Sequence, residues 1–177
     1  MNFDDRYDKF RALTYGKLGV LTNGKFPIAE FLTAPASTKR HGSYEGGLFD
    51  HSYEVYDTLQ KLTIGMGLKW QRPESPLIVG LFHDLCKIDN YIKTPDGEHP
   101  YKYNDQLLID GHGEKSVIYL QKYMDLTDEE VACIRWHMGS YEKDTNKWAY
   151  YGRAIDRYPN VLYSHMADMI ACKIKGI

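Results

Sequence analysis

The sequence predicts an all-α protein, a helical bundle with one short β-hairpin insert around residues 89–105. Apolar residues recur at helical spacing through most of the chain. Helix-opening signals stand directly before the apolar runs. The only stretch with hairpin chemistry is a turn sequence, TPDGE, between NYIK and YKYN.

The elements follow in order. Phe3, Tyr7, Phe10 and Leu13 share one face of a first helix from Asp4 to about Leu13, and a short helix is expected around Pro27–Leu32. A long loop, TAPASTKRHGSYEGG, is rich in small, turn-forming and basic residues. The next helix runs from near Leu48 to about Leu62, with Val55, Leu59 and Leu62 on one stripe. Ser75-Pro76 reads as a capping serine with proline at the first helical position. From there PLIVGLFHDLCKI is almost wholly apolar and should be the buried helix at the centre of the fold. A further helix is expected from Glu114 to about Met124. Thr127 and Glu130 form a capping box opening the helix that carries IRWHMG. The Tyr/Trp-rich segment 139–157 is ambiguous, and the last helix should run from about Asn160 to Ile174.

Composition narrows the function. The 177 residues fit one domain, expected over 1–177, with 43% hydrophobic and 26% charged residues. A net charge of -2 argues against electrostatic coating of long nucleic acid. No apolar run approaches the roughly 20 residues that span a bilayer, and the acidic start MNFDDRYDKF lacks a secretory apolar region. The expected partner set therefore includes no membrane, and the expected compartment is the cytoplasm. Cys86, Cys133 and Cys172 form no CxxC pair and read as small buried thiols.

His83-Asp84 lies within the apolar segment LFHDLCK, where a carboxylate and an imidazole without partners are costly to bury. A shared cation removes that cost. His51 follows Gly46-Gly47, His112 sits in DGHGEKS, His137 in RWHMGS, and Asp168 interrupts an apolar stretch near the C-terminus. Imidazole with carboxylate suits a divalent transition metal such as Mn, Fe, Co, Ni or Zn.

The ordered pattern H…HD…H…H…D at residues 51, 83–84, 112, 137 and 168 resembles the signature of the HD superfamily of metal-dependent phosphohydrolases. The loop PASTKRHGSYEGGLFDHS resembles the one before the first ligand histidine in bacterial HD-domain 3′-to-5′ exoribonucleases. HDLCK is similar to the HD-x-x-K form of the HD-GYP phosphodiesterases and the HD nuclease of type I CRISPR systems. The resemblance runs over about 35–170 and implies an HD-domain helical bundle. It further implies a first metal held by His51, His83, Asp84 and Asp168, and a second held by bridging Asp84 with His112 and His137. Many two-metal relatives carry two consecutive histidines where this chain has His137-Met138, and a thioether is a poor ligand for borderline ions, so one or two ions are expected.

Beyond the metal residues, Lys87 is three positions after Asp84 and is expected to reach a substrate phosphate. Lys39, Arg40 and His41 in the glycine-flanked loop, and Lys115 beside His112, are candidate phosphate contacts. Glu114 and His165 are candidates to orient ligands, and His99 reads as incidental. Tyr141, Trp148, Tyr150, Tyr151 and Arg153 could wall a nucleobase, although simple packing explains them too. The leading function is cleavage of phosphodiesters in short nucleic acid or oligonucleotides by metal-activated water. A nucleotide phosphatase or dNTP triphosphohydrolase is the alternative, and a non-catalytic nucleotide-sensing module the lesser one. The expected partner is thus a nucleotide or short nucleic-acid substrate.

Overall fold

The computed structural model describes residues 1–18, 24–95, 97, 100–141 and 145–177. It is mostly helical: α1 (Phe3–Thr14), α2 (Ile28–Thr33), α3 (Gly47–Met66), α4 (Ser75–Phe82), α5 (His112–Leu120), α6 (Asp128–Trp136), α7 (Trp148–Arg157) and α8 (Asn160–Met169). The hairpin is real. β1 (Tyr91–Lys93) pairs antiparallel with β2 (Tyr101–Tyr103), with Tyr91 opposite Tyr103. Asp96 and Glu98 of the TPDGE turn, and His99, lie outside the described residues. No described helix is long and apolar enough to cross a membrane.

Every residue of α4 is buried, so the apolar segment does form the centre of the bundle. Helix α3 lies along it, and α6 and α8 close the other side. Gly80 makes the α3–α4 approach possible, since a Cβ there would come within 2.5 Å of the Tyr56 backbone. A phenylalanine cluster of Phe10, Phe26, Phe31, Phe49 and Phe82 joins α1 and α2 to this centre, with ring centroids 5.5–6.4 Å apart. Each such ring is worth roughly 1.5–3 kcal/mol by burial alone.

Several expectations need correction. Helix α4 stops at Phe82, and the chain continues through a tighter 3-10 turn over Leu85–Ile88. His83 and Asp84 therefore stand at a break in the helix, not inside it. Ser75 does not cap α4. Glu74 occupies that position, while the Ser75 hydroxyl donates to Glu130 at 2.7 Å. Helix α3 runs one turn further than its apolar stripe and stops at Gly67, which takes the left-handed conformation glycine favours (φ 63°). Helix α5 begins two residues earlier than expected, at His112. The final helix changes at Ile170 into a five-residue π turn ending at Ile174, a local widening that often accompanies functional sites. The Thr127–Glu130 capping box forms as read, with both reciprocal hydrogen bonds.

A buried ion pair pins the start of α3. The Arg6 guanidinium grips Asp50 through two 2.9 Å hydrogen bonds, and Tyr44 adds a third at 3.1 Å. Gly46 leaves the space for it, with a backbone φ of 84° and a missing Cβ that would otherwise strike the guanidinium. Asp50 immediately precedes His51, so this clasp sets where the first candidate ligand enters the core.

Candidate metal centre

Five separate elements converge on one carboxylate. Asp84, at the break after α4, turns Oδ2 toward His51 Nε2 at 3.6 Å and His83 Nε2 at 3.4 Å. Its other oxygen, Oδ1, faces His112 Nε2 at 2.6 Å and His137 Nε2 at 3.5 Å. Asp168, on α8, completes the first group with its carboxylate 3.2 Å from His51 Nε2. All six residues that the spacing singled out, His51, His83, Asp84, His112, His137 and Asp168, thus lie within one cluster.

The imidazoles are held from behind, leaving Nε2 to face inward. His83 Nδ1 lies 2.9 Å from the Gly80 carbonyl, and His137 Nδ1 lies 2.7 Å from that of Ile134. His51 Nδ1 lies 2.8 Å from the Ile177 main-chain oxygen, brought over by the turn after α8. Such partners fix the tautomer in which Nε2 carries the lone pair. A carbonyl three residues back is available to His83 and His137 because each ends a helix, where carbonyls lack intrahelical partners.

The fit to a cation is testable on these atoms. Among the described residues, the Nε2 atoms of His51, His83 and His137 are fully buried without a hydrogen-bond partner, as is Asp84 Oδ1, which His112 approaches off the line of a hydrogen bond. Orphaned buried polar atoms of this kind are costly and rare. Here four of them point into one space, in groups such as His51–His83–Asp84 and His83–His137–Asp168 whose donor atoms lie within 4.8 Å of one another. Nitrogen and oxygen donors of this mix fit a divalent transition metal.

Electrostatics agree. Burial pushes the Asp84 carboxyl up, but the charges of Lys87, His83 and His112 override it and hold it well below the ordinary carboxylate range. Asp168 is likewise lowered against its burial, chiefly by His51. Burial lowers His137 and keeps it neutral, the form that ligates metal. Burial also opposes the charge on His112, yet Cys86 and Asp84 outweigh it and raise the imidazole to about 10. A cation held by His112 would have to displace a proton from it.

A cavity of about 240 Å³ opens beside the cluster, with Asp84, His112 and Asp168 in its wall. Arg40, His41, Lys87 and Lys173 bring cationic or titratable groups, while Tyr91, Tyr141, Met138 and Met169 supply apolar surface. The His41 ring lies tilted against that of His51, with centroids 5.0 Å apart, and burial lowers its pKa to about 4.

A family model of the HD domain matches residues 48–164. The chain belongs to the HD-domain family. It therefore falls in a family of metal-dependent hydrolases, and its histidine–aspartate cluster fits a metal site. Searches of curated proteins and of solved structures returned no match. The HD-domain match ends at Ser164 and does not reach Asp168, whose place in the centre rests on the ordered sequence pattern and on its 3.2 Å approach to His51.

The other sequence candidates divide. Lys87 lines the cavity, but its ammonium is buried and paired with Asp84 Oδ2 at 2.6 Å. Arg40 and His41 line the cavity, whereas Lys39 is exposed on the same loop outside its wall. Lys115 does not face the cavity; it is buried, with Nζ on Asp89 and Asn90 at 2.6 and 2.7 Å. Glu114 pairs with Arg135 and Lys147 rather than with a histidine. His165 lies with Nδ1 2.7 Å from the His137 carbonyl, beside Gly139, and supports the turn that follows this ligand. Tyr141 reaches the cavity; Trp148, Tyr150, Tyr151 and Arg153 are outside its wall. Cys172, read as a buried thiol, is half-buried in the cavity wall with Met169 and Lys173. These three follow Asp168 by one, four and five positions, a helical spacing that could have marked them.

Proposed function

We propose that this HD domain is a phosphodiesterase or nuclease that uses one or two bound transition-metal ions to cleave phosphodiesters of short nucleic acid or oligonucleotides with water. The observation that carries the reading is the Asp84 carboxylate, whose two oxygens face two different pairs of imidazoles. That arrangement suits a bridge between two ions. The first would be held by His51, His83, Asp84 and Asp168, the second by Asp84, His112 and His137. The likeness of the loop at 35–52 to that of HD-domain exoribonucleases supports a diester.

When bound, the ions supply a hydroxide near neutral pH and neutralise charge building at phosphorus. The chain supplies position and charge. Lys87 keeps Asp84 ionised and presents an ammonium at the cavity wall, where it can draw in a phosphoryl oxygen. Arg40 and Lys173 stand further out, placed to hold the neighbouring phosphate. Tyr91 and Tyr141 offer faces to a base or sugar.

The test is metal content of wild type and Asp84→Ala, followed by turnover of a diester, a monoester and a nucleoside triphosphate. Two ions lost in the variant, with diester turnover, support the reading. One ion with turnover of nucleotides alone favours a nucleotide phosphatase or triphosphohydrolase. Metal binding without turnover of any of the three leaves a nucleotide-sensing module.

A further inference from the structure

Three of the four site imidazoles are held from behind by main-chain oxygens, and the fourth by a side chain. His112 Nδ1 lies 3.3 Å from the Cys86 sulfur instead. We infer that Cys86, backed by Asn90 and Lys115, is the positioning residue of His112 and so sets occupancy of the second half of the centre. The inference rests on the metal-dependent reading above.

His112 turns Nε2 toward Asp84 Oδ1 at 2.6 Å and Nδ1 toward the Cys86 sulfur at 3.3 Å. Cys86, Asp84 and His112 also offer donor atoms within 4.8 Å of one another, but the thiol meets the ring at Nδ1 and not at the nitrogen that approaches Asp84, so its role here is to orient the imidazole. With Nε2 as the ligating atom, the ring proton belongs on Nδ1 and is donated to sulfur. The sulfur is itself fixed. Asn90 Nδ2 donates to it at 3.7 Å, and Asn90 has no other way to face, because its amide oxygen is held by the Lys115 ammonium at 2.7 Å. Lys115 is anchored in turn by Asp89, whose second oxygen accepts from Tyr119 at 2.6 Å. The backbone is tied as well: Cys86 N–H donates to Ser116 Oγ at 3.1 Å, and that hydroxyl donates to the His112 carbonyl at 3.2 Å. Cys86, Lys115 and Ser116 are all buried. This chain of contacts gives Lys115 a place in the site without any contact with substrate.

The experiment is stepwise cobalt titration of wild type, Cys86→Ala and Cys86→Ser, together with the melting temperature of each metal-free protein. A ¹H–¹⁵N spectrum of the His112 ring in the metal-free state gives a readout independent of loading. The alanine variant is expected to bind one of two ions about 10- to 100-fold more weakly, the usual cost of losing a partner behind a ligand. The other ion and the metal-free melting temperature should be unchanged, and the sheltered Nδ1–H signal should vanish. Serine, which can still accept that hydrogen bond, should restore most of the affinity and the signal. Equal uptake by wild type and Cys86→Ala overturns the inference alone. So does weakening of both ions in step with a fall in melting temperature. Wild type that binds no ion removes the metallohydrolase reading and this inference together.

Discussion

The two sides of Asp84 are built differently. On the Oδ2 side, His51 and His83 are 0% and 1% exposed, backed by main-chain oxygens, and placed in α3 and at the end of α4, helices that the Arg6–Asp50 clasp and the phenylalanine cluster lock together. On the Oδ1 side, His137 is similarly buried, but the His112 side chain is 28% exposed, opens a short helix and leans on a thiol. The contrast shows one carboxylate serving a rigid half and a more adaptable half. A carbonyl cannot be moved by substitution of its own side chain, whereas sulfur can be removed by one mutation.

Removing the shared member should erase the contrast. Asp84→Ala is expected to lose both ions and to lower any turnover by at least about 10²–10³-fold, the scale set by losing a single electrostatic contact to the transition state; metal analysis and steady-state rates check it. The rigid half can be loosened from outside. Arg6→Ala leaves Asp50 buried without its partner and should cost about 3 kcal/mol of stability, seen as a lower denaturant midpoint. Its metal effect should fall on the ion next to His51. Selective truncation separates the halves directly: His51→Ala and His112→Ala should each lose a different step of a cobalt titration, the weaker step belonging to His112. The smallest effect belongs to α6, which carries His137 at its end. Thr127→Ala removes the capping hydrogen bond and should cost about 1 kcal/mol, with metal affinity nearly unchanged.

The ligand set was legible because each ligand is a polar residue in an apolar or glycine-flanked setting, in a family-typical order. The capping box was legible because it is written in residues three apart. What stayed hidden was set by tertiary contact. The break after Phe82 could not be read, since PLIVGLFHDLCKI keeps a continuous apolar pattern across a change from α to 3-10 geometry. Lys115 looked like a phosphate contact beside a ligand because Asp89 and Asn90, which claim it from just before the hairpin, are 26 and 25 positions away. Ser75 looked like a cap because Glu130, which takes its hydroxyl, is 55 positions on. The main-chain oxygen behind His51 belongs to Ile177, 126 positions away, and no local pattern announces it.

That separation bears on how the protein comes to be folded. The residues around Asp84 come from α3, the junction after α4, α5, α6 and α8, so no fragment short of the whole bundle can gather them. Loop closure over such distances is slow and is compensated only when the last element docks. An ion that binds the finished cluster and not the loose chain adds RT ln(1 + [M]/Kd) to stability. Free metal concentration thus becomes a thermostat for the fold: the same ions proposed to act on substrate would also determine how long the chain survives unfolding and proteolysis.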